Sequence, residues 1–366
     1  MTQRAASDVP ETMRAVVCHG PRDYRLEEVP TPVPGPGEAL VRVEAVGICA
    51  SDLKCYHGAA KFWGDENRPA WAETNVIPGH EFVGEVVALD EAASERWKIV
   101  VGDRVVSEQI VPCWKCRYCL RGQYWMCAPH SLYGFKRAHP GGMARFMTYP
   151  VESIVHKISS DLPAAHAAFA EPLSCALHGV ERATIAFEDV VVIAGCGPIG
   201  LGMIAGARAK GPAHIVALDA IESKLELAKA CGADTTINIL EEDAQQIVRN
   251  LTGGYGADVY IESAGHPSAV GQGLNMLRKL GTFVEYSVFG SDVTVDWSII
   301  SDDKELDVRG AHLGPYCWPK AIAMLEAGVL PMDRIVTHQL PLSDFREGLE
   351  LVAEGNSSVK VSLIPS

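Results

Sequence analysis

Positive charge is in short supply in this chain. It has 32 Lys and Arg against 46 Asp and Glu, a formal net charge of −14. That balance argues against nucleic acid or another polyanion as a partner and suits a soluble protein. Long hydrophobic runs are scarce too. Residues 190–207 run eighteen positions without a charge, but they include Pro198 and five glycines. A membrane span needs roughly 20 apolar residues, so this stretch reads as a buried strand turning into a helix, and no membrane partner is expected. Residues 1–13 are polar with no apolar core, so no secretory signal is expected there. Internal repeats and low-complexity segments are absent. A disulfide framework is also not indicated, because eleven cysteines is an odd number. A cytoplasmic, reduced protein that uses cysteine for metal is the expectation.

What is present is enough for two domains. The length of 366 residues exceeds what one core usually serves. Residues 14 to about 185 carry short β-branched runs separated by Pro and Gly clusters such as Pro32-Val33-Pro34-Gly35-Pro36-Gly37, which predicts a compact, partly closed β domain. From 186 the pattern alternates. Strands are expected at 190–194, 214–218, 258–262 and 282–286, with helices at 199–209, 222–231, 242–250 and 267–279; Gly232 and Gly281 stand where helix C-caps would fall. Alternation of this kind implies an α/β fold with a doubly wound parallel sheet of Rossmann type. The expected organisation is a catalytic domain over 1–185, a dinucleotide domain over 186–317, and a return of 318–366 to the first domain.

Gly195-Cys196-Gly197-Pro198-Ile199-Gly200 follows an apolar strand and opens an apolar helix. In that context the glycines permit a tight turn and close approach to a pyrophosphate, and the helix N-terminus supplies N–H donors. Asp219 lies at the end of the next strand. A carboxylate there accepts from a ribose 2′-hydroxyl and repels a 2′-phosphate, so NAD is expected over NADP.

Two groups of metal-ligand residues stand out. Cys113, Cys116, Cys119 and Cys127 fall within fifteen residues. Four thiolates close a tetrahedral shell and leave no position for substrate, which points to structural zinc. Cys49, His80-Glu81 and Glu171 offer a thiolate, an imidazole and one or two carboxylates, a set suited to zinc with an open position. Cys18, Cys55, Cys175, Cys196, Cys231 and Cys317 remain and read as buried small apolar side chains.

On these motifs the chain resembles the zinc-containing medium-chain dehydrogenase/reductase superfamily along nearly its whole length. Within it, Glu171-Pro172-Leu173 and His80-Glu81 resemble the polyol (sorbitol-like) dehydrogenase branch, and the runs from Cys49 to Gly58 and Tyr133 to Lys136 resemble bacterial members acting on four-carbon polyols. The resemblance implies a GroES-like catalytic domain, a Rossmann domain, and two zinc ions per chain, one catalytic and one structural. It implies NAD-dependent oxidation of a secondary hydroxyl of a short polyol to a ketose, with erythritol or L-threitol giving erythrulose as the leading expectation. Butanediol, longer polyols such as sorbitol or xylitol, and L-threonine stand as alternatives, and a non-enzymatic dinucleotide-binding protein is disfavoured by the complete ligand sets. By position, Cys49, His80 and Glu81 resemble zinc ligands, and Glu171 a carboxylate that binds zinc or holds its water. Ser51 resembles the hydroxyl that passes the substrate proton outward, Asp52 the partner of the ligand histidine, and Lys224 a basic residue near the adenosine ribose. A homo-oligomer is implied, a tetramer more than a dimer. Departures are Lys54 where many relatives have the outer histidine of the proton relay, leaving Lys54, His57 or water to serve, and Leu313 where sorbitol-type enzymes carry a substrate-holding arginine. The loop 59–76 reads either as a lid over the substrate or as a solvent or subunit-contact loop.

Overall fold

The computed structural model describes residues 3–4 and 9–365. The chain divides into two compact units, residues 1–171 with 336–366, and residues 172–335.

The first unit is built on β1 (Thr12–Gly20), β2 (Asp23–Pro30), β3 (Ala39–Gly47), β4 (Glu81–Leu89), β5 (Arg104–Ser107), β6 (Phe146–Tyr149) and β7 (Val155–Lys157). β1 and β2 form a separate antiparallel hairpin. β3 and β4 lie at the heart of the main sheet and are buried over most of their length. A strand apolar on both faces has no solvent side, and this is the reason β4 reads Phe-Val-Gly-Glu-Val-Val-Ala-Leu with little alternation. Val41, Val43, Phe82, Val86, Met147 and Leu363 are core members. The chain re-enters this unit late, through β14 (Val336–Pro341) and β15 (Lys360–Ile364), which pair in parallel with each other. β15 also pairs antiparallel with β3, setting Ser362 opposite Gly47, while Gly47 stands opposite Glu81 on β4. Three strands far apart in sequence thus meet at one sheet end.

The second unit holds β8 (Val190–Ala194), β9 (His214–Asp219), β10 (Thr235–Asn238), β11 (Ala257–Glu262), β12 (Leu277–Glu285) and β13 (Asp307–Gly310) in one sheet. Their spatial order is β10-β9-β8-β11-β12-β13, all pairs parallel. This is the Rossmann order, whose switch point between β8 and β11 is where dinucleotides bind. The intervening helices are α3 (Pro198–Lys210), α4 (Glu222–Ala230), α5 (Ala244–Leu251) and α6 (Pro267–Met276). A further helix, α2 (Ala170–Ala183), precedes β8 and packs on α3. There a Cβ added to Gly202 would meet Ala176 and Leu173, and one on Gly206 would meet Leu177 and Val180.

Several sequence expectations shift. The unit boundary falls after Glu171, not at 185, because α2 packs on α3; the return begins at Val336, not 318, because helix Trp318–Glu326 remains in the second unit. The helix expected over 267–279 stops at Met276, and Gly281 lies inside β12 instead of capping a helix. The cause is tertiary: Lys304 Nζ donates to the carbonyls of Leu274, Asn275 and Leu277 at 2.7, 2.9 and 2.6 Å, terminating the helix early. β10 and β13 escaped the pattern reading; each is four residues long, and β13 is largely exposed at the sheet edge.

Candidate active site and metal centres

The open group assembles around α1 (Ala50–Tyr56), whose N-cap is Cys49. Asp52, buried in the first turn of α1, orients two candidate ligands at once. Its Oδ2 accepts from the Cys49 amide at 2.9 Å. Its Oδ1 lies 3.3 Å from His80 Nδ1, an ion-pair distance between two buried side chains. His80 Nε2 turns the other way, toward Ser51 Oγ at 3.4 Å. The Phe135 ring lies against the imidazole with centroids 5.3 Å apart. One ligand atom each from Cys49, His80 and Glu81 falls within 4.8 Å of the others.

Glu171 is not part of that trio. Its Oε1 accepts from Gln109 Nε2 at 2.5 Å, and both residues are buried. Glu81 is held by an ion pair with Lys360 Nζ, and Lys360 also donates to the Ile48 carbonyl at 3.0 Å. Lys360 is only 3% exposed. Burial works against its charge, but Glu81, Cys49 and Glu171 outweigh burial and raise its pKa. His80 behaves alike: burial opposes the imidazolium, and Asp52 and Cys49 lift it well above its ordinary range. Asp52, Glu81 and Glu171 thus place three carboxyl groups around His80 and Lys360. A thiolate, an oriented imidazole and carboxylates so placed fit a zinc ion.

Gly47 makes the arrangement possible. A Cβ there would overlap Glu81 Oε2 and come within 2.7 Å of Lys360 Cε. Lys360 and Gln109 were missed by sequence reasoning. The signal for Lys360 is a lysine set in an apolar C-terminal strand that pairs beside Gly47.

Two open expectations gain positions. Lys54 is half-buried on α1, and His57 is exposed with its ring edge-on to Tyr56. The loop 59–76 is anchored through aromatics: Phe62 stacks on Phe135, and Trp71 lies 5.1 Å from the same ring. Lys136 donates to the Trp71 carbonyl and sits over its ring, while Glu66, Asn67 and Arg68 are exposed. One face of the loop therefore reaches His80 by way of Phe135. Leu313, in the second unit, adopts a left-handed φ of 56° and its carbonyl accepts from Tyr286 Oη at 3.2 Å.

The closed group is local. Cys113, Cys116, Cys119 and Cys127 bring their sulfurs within 4.8 Å of one another. The Cys113 amide donates to Cys127 Sγ at 3.2 Å and the Ala128 amide to Cys116 Sγ at 3.5 Å. Backbone amides of Cys119 and Ala128 bring the Cys116 thiol down to about 6. Amides pointed at sulfur favour thiolate, the form that binds zinc. The other six cysteines named above are all buried.

The glycine-rich turn follows β8. Gly195 has φ +92°, and its amide donates to the Leu218 carbonyl at 2.8 Å. A Cβ on Gly200 would strike the Gly195 carbonyl, whereas the space beside Gly197, the N-cap of α3, is open. Pro198 and Ile199 then start the helix, where a missing N–H costs nothing. Asp219 ends β9 and is fixed from both sides: Oδ2 accepts from the Cys196 amide at 2.7 Å, Oδ1 from Ala220 and Ile221 at 2.8 and 3.0 Å. Lys224 lies half-buried on α4.

Comparison with known proteins agrees with this architecture. Residues 35–160 match the alcohol dehydrogenase GroES-like domain, and residues 198–327 match the zinc-binding dehydrogenase domain. The chain is 74% identical to an erythritol/L-threitol dehydrogenase of Mycolicibacterium smegmatis, over 99% of this chain and 100% of that one. It is 32% identical to a sorbitol dehydrogenase of Halalkalibacterium halodurans, over 95% and 97%. The crystal structure of 2R,3R-butanediol dehydrogenase from Bacillus subtilis superposes with a TM-score of 0.84 at 27% identity, covering 97% of this chain and 100% of that chain. The chain belongs to the zinc-binding dehydrogenases that join a GroES-like alcohol dehydrogenase domain to a Rossmann domain.

Proposed function

We propose that the protein oxidises a secondary hydroxyl of a four-carbon polyol, erythritol or L-threitol, to erythrulose, with NAD as hydride acceptor. The observation that carries this reading is the meeting of Cys49, His80 and Glu81 beside the Ser51 hydroxyl. The name and 74% identity of the mycobacterial relative support the substrate.

Zinc held by Cys49, His80 and one or both carboxylates supplies Lewis-acid stabilisation of negative charge, the property that lowers the pKa of water to about 7 in such sites. The rest is done by side chains of this chain. Ser51 receives the proton leaving the substrate hydroxyl and passes it outward. Asp52 holds Cys49 and His80 in mutual register. Lys360 and Gln109 hold Glu81 and Glu171, the carboxylates that would face the metal or its water. The second zinc, held by Cys113, Cys116, Cys119 and Cys127, stiffens its loop. The turn Gly195 to Gly200, with Gly197 open to solvent, takes the NAD pyrophosphate; Asp219 accepts from the adenosine ribose and Lys224 lies close by. Neutral NAD ribose suits the fixed Asp219 carboxylate better than a 2′-phosphate.

We further read the protein as a cytoplasmic homo-oligomer, a tetramer in preference to a dimer. Among the described residues, the lack of a disulfide and of any helix long and apolar enough to cross a membrane supports the location. Light scattering of the purified protein tests the assembly. The reaction is tested by NAD reduction with erythritol, L-threitol, D-threitol, sorbitol, xylitol, ribitol, butanediol and threonine, with and without a chelator. Chelator-sensitive activity highest on the four-carbon polyols is expected. Highest activity on another class overturns the substrate, and insensitivity to thorough metal removal overturns the zinc mechanism.

A further inference from the structure

The second unit holds a pair of acidic residues that no step above uses. Glu262 is the last residue of β11 and Glu285 the last of β12, and they stand directly opposite each other on adjacent parallel strands. Glu262 is fully buried. Its Oε1 accepts from the Ala264 and Gly265 amides at 2.9 and 2.8 Å, but Oε2 is buried with no hydrogen-bond partner. Glu285 accepts from the Ser287 amide at 2.7 Å. An ionised carboxylate only accepts, so two facing each other leave an oxygen that cannot be satisfied. One proton between them satisfies it.

The neighbouring titratable groups Tyr260, His266, Arg278 and Arg309 have other partners. On the same strand Tyr260 commits its hydroxyl to the Ala269 carbonyl at 3.0 Å. Ahead of α6, His266 bonds Ser268 at 2.7 Å. β8 brings no titratable side chain, and Arg278 at the far end of β12 is engaged by Asp258. Arg309 on β13 donates to the Arg182 carbonyl, Thr184 and Asp307. Burial, then the neighbouring Glu262 charge, pushes Glu285 from 4.5 up to about 8, and burial raises Glu262 as well. This follows the general rule for two carboxyls sharing a dry site.

The pair is joined to the glycine-rich turn. Ser263, next to Glu262, donates through its amide and its hydroxyl to the Ala194 carbonyl at 2.9 and 2.8 Å, and its hydroxyl reaches the Gly195 carbonyl at 3.2 Å. A Cβ on Gly195 would come within 2.7 Å of the Ala264 backbone. The turn 263–265, which Glu262 ties down, is therefore packed on the turn assigned to the pyrophosphate.

We propose that Glu262 and Glu285 are positioning residues that share one proton, and that this proton keeps the turn 263–265 seated on the glycine-rich turn, so that NAD binds more weakly once it is lost. The inference rests on the reading of that turn as the NAD site. Two effects act in the same direction. Full ionisation sets two charges side by side and loosens the turn, and it places added negative charge at the strand ends where an anionic pyrophosphate is to be held.

The test has two arms, each run from pH 6 to 9.5 on the full-length protein, Glu285→Gln and Glu262→Gln. The first is thermal stability without NAD. A carboxyl raised in the folded state contributes stability that is complete below its unfolded value near 4.5 and is lost as pH rises through about 8. The wild-type midpoint therefore falls from pH 6 up to about 8 and levels off above it, and Glu285→Gln, whose amide supplies the missing donor, flattens that fall. The second arm is the NAD dissociation constant by calorimetry. Wild-type affinity is expected to drop by up to about tenfold per pH unit above 8, and by less than half that slope in Glu285→Gln. Equal alkaline slopes in wild type and both variants overturn the proposal, as does a flat wild-type curve in either arm. If no protein binds NAD at any pH, the cofactor reading fails and the coupling with it, while the stability arm still decides whether the proton is shared. Should Glu285→Gln not fold, Glu262→Gln removes the same pairing and is read against the same curves.

Discussion

The two cysteine-containing clusters reach similar chemistry by opposite routes. The closed one draws all four sulfurs from one loop of fifteen residues, with backbone amides aimed at sulfur. The open one draws ligands from the cap of α1 and the start of β4, and depends on Asp52, Gln109 and Lys360 to hold them. Local ligands can form their shell with little help from the fold. Dispersed ligands need the fold first, and in the proposed reading they leave room for a substrate and a proton path through Ser51. The two proposed sites thus differ in ligand type and also in what supports the ligands.

Substitutions on the two sides should break this contrast in different ways. The largest effect is expected from Ser51→Ala, which removes the proton path and lowers turnover by roughly 10²- to 10⁴-fold. Zinc content by atomic emission should stay unchanged, and near-normal turnover would remove Ser51 from the mechanism. Next comes Lys360→Met, which strands a buried Glu81 carboxylate at a cost of about 3–5 kcal/mol. Denaturant unfolding measures that loss; a wild-type midpoint would mean the ion pair carries little. Cys116→Ser should release one zinc per chain and destabilise the loop by about 2–4 kcal/mol, in the range of losing a local staple. Unchanged metal content would sink the structural assignment. The smallest effect is that of Asp219→Gly, which should cut the NAD over NADP preference by roughly tenfold to a hundredfold. A steady ratio in kcat/KM for the two cofactors would show that Asp219 does not read the ribose.

The same contrast explains how much was legible in the sequence. Cys113 to Cys127 could be read from spacing alone, because the chemistry and the geometry lie in one short segment. The glycine-rich turn was legible for the same reason: strand, turn and helix are consecutive, and Gly195 and Gly200 are small where a Cβ would collide. Cys49 and His80-Glu81 needed family resemblance, since nothing local says that α1 and β4 meet. Lys360 was invisible, because its role comes from β15 pairing beside Gly47, almost the whole chain away. The end of α6 was misplaced by three residues for a like reason: its C-terminal carbonyls are capped by Lys304 from beyond the next strand. Glu171 was read as a carboxylate for the metal or its water, and its hold on Gln109 is a contact that sequence spacing cannot carry.

The most direct test of the contrast is zinc content and NAD-linked polyol turnover measured together for wild type, Cys49→Ala and Cys116→Ser. The account predicts two zinc ions in wild type and one in each variant. Cys49→Ala should lose turnover while keeping most of its thermal stability, and Cys116→Ser should lose stability first. Full turnover in Cys49→Ala, or equal losses of stability in both variants, would contradict the division into a reactive and a structural site.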